Sequence, residues 1–300
     1  MNSMKILTVA ILSWCIAGTG LSLAQEQVLF NGKDLTGWEG NPELWSVQNG
    51  CITGVTKDDA PLPYNQFLIW RAGTVKNFEL RVVARQAGNN SGFQYRSKEQ
   101  PTKGPWSIVG YQCDMHPTAE NNAMLYDEGG RGIVCKNGQS VIVDSKGDKW
   151  LVRNEAPVKV EVADWNEYKI IAKGNHLIHQ VNGKTTADII DHQVSERELE
   201  GLLAFQVHRG PAMKVEIKEV VLKVLPDGDV LSEEQHPIPA DAKKIEPPAK
   251  AKAAPAKDKP APAKAKAKEA AAKVEPTRAS TASTSATADQ KKKRIGAIRK

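Results

Sequence analysis

Residues 110–116 read Gly110-Tyr111-Gln112-Cys113-Asp114-Met115-His116. Successive side chains on a β-strand point to opposite faces, so Tyr111, Cys113 and Met115 make one apolar face and Gln112, Asp114 and His116 a polar one. Two further stretches repeat the pattern. In 92–97, Phe93 and Tyr95 oppose Gln94 and Arg96; in 201–209, Leu203, Phe205 and Val207 oppose Ala204, Gln206 and His208. Each strand offers an apolar face to a core and, on the other side, amide, guanidinium, carboxylate and imidazole groups that converge if the three strands are neighbours. The solvated face of an antiparallel sheet needs no function. Such faces are usually Lys, Glu and Thr, however, whereas Gln, Asp, His and Arg near aromatic rings are typical of sugar recognition, in which planar polar groups bind hydroxyls and rings stack on the pyranose. Trp106 and Tyr126 are candidate stacking platforms, Asn90 flanks the Phe93 strand, and Trp165 in DWNEY is read as a core residue.

Outward from these strands, from Gln25 to about Leu225, the chain is a succession of short β-branched and aromatic runs broken by Gly, Pro, Asn and Asp. Asn49-Gly50 and Asn182-Gly183 are turn signals, and KIIAKGNHLIHQVNGK reads as a hairpin followed by another turn. Only Ser195–Glu200 looks like a helix start. Roughly a dozen strands without long helices imply an all-β, two-sheet antiparallel sandwich or a barrel.

Charge divides the chain. The formal net charge is +6, but residues 241–300 hold 17 Lys and Arg against 6 Asp and Glu, so the basicity belongs to the tail and residues 25–240 are mildly acidic. A folded groove that neutralises phosphates needs its cations on the domain itself, and no nucleic-acid partner is expected. Lys5, the apolar run ILTVAILSWCIAG and Ser22-Leu23-Ala24 read as a secretory signal over 1–24, which implies an exported protein. The expected organisation is signal 1–24, β-domain 25–228 and a disordered Ala/Lys/Pro-rich tail 229–300, the tail being a solvated linker or an electrostatic tether to anionic envelope polymer. Beyond the signal, Cys51, Cys113 and Cys135 permit one disulfide and leave one thiol, with no pairing favoured.

MLYDEGGRG adds Tyr126, Asp127, Glu128 and Arg131 in a Gly-rich loop, where two adjacent acids fit either a binding-site loop or a turn for a hard cation such as Ca²⁺. GxSxG, HExxH and Walker patterns are absent, which argues against serine hydrolase, zinc peptidase and NTPase chemistry.

Taken in order, LFNGKDLTGW (29–38), NNSGFQYRS (89–97), GYQCDM (110–115), LYDEGGRG (125–132), DWNEYKIIAKGNHLIHQVNG (164–183) and LLAFQVHRGP (202–211) resemble the family long called domain of unknown function 1080, described as 3-keto-disaccharide hydrolases, or 3-keto-glucoside 1,2-lyases and 3-keto-2-hydroxyglucal hydratases. The resemblance implies a concanavalin A-like jelly-roll sandwich whose sheet holds a sugar. Many members read GYEvQ where this chain has Gly110-Tyr111-Gln112-Cys113-Asp114, which moves the carboxylate two positions along the same face. The implied chemistry removes the C2 proton acidified by a C3 ketone, expels the C1 substituent by β-elimination, and adds water to the resulting 2-hydroxyglucal. It needs a base, a donor at the ketone oxygen and an acid for the leaving group. The expected catalytic residues are Asp114 or His208 as base and His116 or Glu128 as acid. Arg96 and Gln112 are expected at the ketone oxygen, with Gln94, Gln206, Tyr126, Arg131, Trp106 and Asn90 completing the substrate site. A divalent metal, Ca²⁺ or similar, held by Asp114, Glu128 or His208 is an alternative electrophile. The competing class is a lectin-like module that binds glycan without turning it over.

Overall fold

The structure is a computed structural model that describes residues 26–246. Two sheets pack face to face. The smaller has seven strands, in spatial order Gly132–Cys135, Leu125–Glu128, Ile108–Met115, Ser91–Glu99, Leu202–Val207, Gln66–Trp70 and Trp38–Glu39. The three strands singled out by alternation are therefore adjacent at its centre. The larger sheet has eleven strands; its long strand Phe78–Gly88 lies between Asn166–Lys173 and Met213–Val224. Pairing is antiparallel throughout except between Gln139–Val143 and Lys184–Asp191, which run parallel. This is the expected two-sheet, predominantly antiparallel β-sandwich.

The alternation is realised as a core. Phe93, Tyr95, Tyr111, Cys113, Met115 and Phe205 project from the seven-stranded sheet onto Phe78, Leu80, Val82, Tyr168 and Ile170 of the other. Phe93 meets Tyr168 at 5.1 Å between ring centroids and Phe205 at 5.8 Å, and Trp38 stacks on Phe205 at 4.6 Å. Each such side chain removed from water contributes about 1.5–3 kcal/mol, which fixes register, since a one-residue slip would turn the polar set into the core. Asn49-Gly50 and Asn182-Gly183 both have positive φ at their two residues (51° and 74°; 48° and 76°), the mirror-image turn that suits a tight hairpin.

Four expectations are corrected. Ser195–Glu200 forms no helix; Arg197 N–H donates to Gln193 O at 2.9 Å and the turn goes no further, because no apolar stripe follows to bury a helical face. The folded body does not stop at 228. Leu231 N–H donates to Asn175 Oδ1 at 2.7 Å, Lys243–Lys244 adds a short strand beside Lys149–Asn154, and Ile245 packs on the core, so the ordered domain runs to Glu246. All three cysteines are buried free thiols. Cys113 and Cys135 flank Leu125 from opposite sides, about 9–10 Å apart at two strand spacings and beyond disulfide reach. Trp165 is half-buried on the outer surface, with the Arg85 guanidinium and the Lys218 ammonium each 4.6 Å from its ring centroid. The signal expected over 1–24 and the tail beyond 246 lie outside the described residues.

Candidate active site

The outer face of the seven-stranded sheet is floored by amides. Gln112 stands opposite Gln94 across one ladder and opposite Tyr126 across the other. Gln94 Nε2 donates to Gln112 Oε1 at 3.1 Å, and Ser97 Oγ donates to Gln94 Oε1 at 2.6 Å. Gln112 Nε2 in turn donates to Asp114 Oδ1, the next residue on the same face. Gly92, paired with Asp114, makes this possible: a Cβ there would lie 2.6 Å from Gln112 Cδ, so only glycine lets the Gln112 side chain lie across the strand. Phe205 pairs with Phe93, which brings Gln206 alongside Gly92 on the side away from Asp114.

A cleft of about 390 Å³ opens over this floor, lined by Gln112, Asp114, His116, Tyr126, Glu128, Gln206 and His208 together with Asn90. Eight of the twelve expected site residues thus surround one cavity, and Gln94 supports the floor beneath it. The loops contribute residues that alternation could not reveal: Tyr64, Asn65, Lys103, Met124 and Arg209. Asn65 precedes the strand Gln66–Trp70; its Nδ2 donates to both oxygens of Glu128 at 3.2 and 3.4 Å, while its Oδ1 accepts Arg209 N–H at 3.0 Å. One side chain therefore ties the acid to the loop that follows His208.

Burial sets the electrostatics. Asp114 is 2% exposed, and desolvation pushes its carboxyl from the ordinary 3.8 to about 7, against the opposing pull of the Gln112 hydrogen bond and with a further push from the Glu128 charge. Desolvation also raises Glu128, although Lys103 and Asn65 oppose it. His116 and His208 are both lowered by desolvation, so each is neutral near pH 7. Gln206 is fully buried, yet neither its Nε2 nor its Oε1 has a hydrogen-bond partner, and Asn90 Oδ1 is likewise buried and unpartnered. A buried amide left unsatisfied costs about 1–3 kcal/mol. Two unsatisfied groups lining one cleft beside a carboxyl that titrates near neutrality are what a polar ligand would complete.

Residues 25–223 match the model of the 3-keto-alpha-glucoside-1,2-lyase-like domain. The chain belongs to this family. No curated protein sequence matches it. Among solved structures, a candidate glycosyl hydrolase from Parabacteroides distasonis is 21% identical, with 67% of this chain and 94% of that one aligned at a TM-score of 0.43. The carbohydrate-binding module CBM66 from Bacillus subtilis is 13% identical over 62% and 95% of the two chains (TM-score 0.43), and the kappa-carrageenase from Pseudoalteromonas carrageenovora 12% identical over 71% and 99% (TM-score 0.41). Family membership makes the chain a carbohydrate-active domain.

Three residues expected in this lyase-like site are placed elsewhere. Arg96 sits at a register shift with φ 48°, which turns its side chain off the polar face. Its guanidinium is buried and donates to the backbone carbonyls of Lys76, of Gly174 at 2.6 Å and of Glu198 at 3.3 Å. It joins three chain segments and does not line the cleft. Arg131 pairs with Asp127 at 2.7 Å and Asp191 at 2.8 Å, inward of the cleft. Trp106, at φ 53°, does not line the cavity; its carbonyl accepts Phe67 N–H at 3.0 Å. The adjacent acids Asp127 and Glu128 point to opposite faces, one to Arg131 and the other to the cleft. Asp114, Glu128 and His208, the residues expected to hold a divalent cation, all line the cleft, and no cluster of three or more His, Cys, Asp or Glu side chains suited to a metal ion occurs among the described residues.

Proposed function

We propose that the domain cleaves 3-keto-glycosides by elimination across C1 and C2. The observation that carries this reading is Asp114: a carboxyl buried in a polar cleft, with its ionisation poised near neutral pH. A ketone at C3 acidifies the C2 hydrogen enough for a carboxylate of that strength to remove it, and a base is most effective when its pKa lies near the working pH. No paired carboxylates at fixed spacing and no oxocarbenium ion are needed, in contrast to ordinary glycosidases.

The roles follow from what each group is free to do. Asp114 takes the C2 proton while Gln112 Nε2–H holds its other valence. The electron pair moves onto the ketone oxygen, where the unpartnered Gln206 Nε2–H donates; an amide fixed before the reaction gains most when charge develops opposite it. Collapse of the enediolate breaks the C1–O bond, and the departing oxygen takes up the proton that Asp114 removed from C2, while the Glu128 carboxylate, tied by Asn65, keeps Asp114 basic. His116 and His208, neutral, stand beside the vacated C1 and can accept a proton from the water that adds in a hydration step. Asn90 Oδ1 accepts a sugar hydroxyl and Tyr126 offers its ring. We place this activity outside the cytoplasm because of the leader-like sequence at 1–24, with the basic tail as its tether to anionic envelope polymer.

Purified protein incubated with a 3-keto-α-glucoside and, in parallel, with the unoxidised glucoside tests the reading. Release of the aglycone from the keto sugar alone is expected. Tight binding of the unoxidised glycan with no turnover of either compound would replace the lyase by the lectin-like module.

A further inference from the structure

The chain from 116 to 124 carries His116 and Met124 into the cleft and folds back on the strand that bears Asp114. At its end Ala123 is fully buried at φ 55°, a left-handed conformation that costs a non-glycine residue energy and persists only where the surroundings hold it. What holds it comes from the other sheet. Ala123 O accepts from Thr186 Oγ1 at 2.9 Å and lies 3.3 Å from His179 Nδ1. Ala123 N–H donates to Asp114 O at 2.7 Å, and Asp114 N–H donates to Met124 O at 3.2 Å. Both backbone groups of Asp114 are therefore fixed by the two residues whose geometry depends on His179 and Thr186.

Burial disfavours the charged ring, pulling His179 from the ordinary 6.5 down to about 4. A carbonyl cannot donate, so the single hydrogen of the neutral ring sits on Nδ1 and is donated to Ala123 O; Nε2, 2.9 Å from the Tyr95 hydroxyl, then accepts from it. The ring is fully buried, with the Tyr95 ring edge-on to it at 5.6 Å between centroids.

We propose that His179, a residue of the eleven-stranded sheet, is a positioning residue for Asp114, acting through the left-handed turn at Ala123. This rests on Asp114 being the base. His179 and Thr186 from beneath, and Gln112 from the side, hold the carboxyl dry and aimed; the field it experiences comes from Glu128. When the donor to Ala123 O is lost, the turn relaxes, water reaches Asp114, and the carboxyl returns toward its ordinary acidity.

The test reads Asp114 directly and needs no substrate. The carboxyl carbon resonances of ¹³C-aspartate-labelled full-length protein are followed against pH, with Asp114→Asn identifying the signal. In wild type the signal titrates near neutrality; in His179→Leu the midpoint moves acidward and turnover falls on the order of 10- to 100-fold with KM little changed. His179→Asn, whose amide N–H reaches the position of Nδ1, restores most of both. Thr186→Val removes the other donor to Ala123 O while keeping the side chain's shape, and serves should His179→Leu fail to fold; it is expected to move the same midpoint in the same direction and to lower kcat. An Asp114 signal unmoved in folded His179→Leu or in Thr186→Val overturns the positioning role. Wild-type protein inert toward every 3-keto-glycoside, with the midpoint moving as expected, keeps the positioning and overturns the lyase reading instead.

Discussion

The two sheets of this sandwich show water opposite faces. The outer face of the eleven-stranded sheet is a lattice of cross-strand ion pairs: Arg81 with Glu219 at 2.6 Å, Arg85 with Glu216 at 2.9 Å and Lys169 with Glu79 at 3.2 Å, all partly exposed. These charges meet their opposites at the solvent boundary. The outer face of the seven-stranded sheet carries Gln94, Gln112, Asp114 and Gln206, each 2% exposed or less, with no cation paired to the carboxyl and one amide unpartnered. A face built for solubility satisfies itself at little cost in either direction, since exposed pairs contribute about 0–1 kcal/mol each. A face built to bind leaves groups dry and unsatisfied, which lowers stability until a ligand completes them.

That contrast is broken most directly at Asp114. Asp114→Asn keeps the bond from Gln112 and deletes the base, so turnover of a 3-keto-glycoside should fall by at least about 10²-fold while sugar affinity changes little. The same substitution has a pH signature in stability. The folded carboxyl titrates near 7 and the unfolded one near 3.8, so the folded state holds the extra proton between those values. The stabilisation from that proton is complete below about pH 4 and lost as pH rises through 7, with an upper bound of about 4 kcal/mol. Thermal scans should show Asp114→Asn gaining on wild type across that window and keeping the gain at pH 8.

Arg96 gives the next largest effect and a different kind. Arg96→Met leaves three backbone carbonyls without their donor, and chemical denaturation should show a loss of about 3 kcal/mol or more, with kcat per folded molecule unchanged. A specific fall in kcat at full stability would put the guanidinium back at the ketone. Gln206→Met removes the unpartnered amide: substrate binding, measured by calorimetry, should weaken by about fivefold, for one hydrogen bond of about 1 kcal/mol, and turnover should fall further than affinity, while the thermal midpoint holds or rises. On the opposite sheet, Arg85→Ala should cost at most about 1 kcal/mol and leave turnover at the wild-type rate.

The alternation in 110–116 and 201–209 was enough to place Gln112, Asp114, His116, Gln206 and His208 around one cleft, because period two is a geometric property of strands and is written in the residues themselves. Arg96 escaped it through a register shift: between Tyr95 and Lys98 the ladder slips, and a rule that counts positions has no means of seeing an irregular one. Arg131 was drawn inward by Asp191, 60 residues away in sequence. Asn65, Lys103 and Arg209 sit on connections whose placement depends on what they pack against, and nothing local marks them. The ordered segment 229–246 was hidden by a polar composition whose few apolar residues, Leu231 and Ile245, find places on a sheet that only exists once the rest has folded.

The central claim is that Asp114 takes the proton from C2, and exchange at that carbon tests it most directly. Wild-type protein and Asp114→Asn are incubated in D₂O at pD 8 with a 3-keto-glycoside whose leaving group departs slowly, and deuterium at C2 is followed by NMR. Wild type should wash deuterium into C2 before the aglycone appears, and Asp114→Asn should exchange at least about 10²-fold more slowly. Equal exchange in the two proteins contradicts the assignment and gives the base to another residue of the cleft.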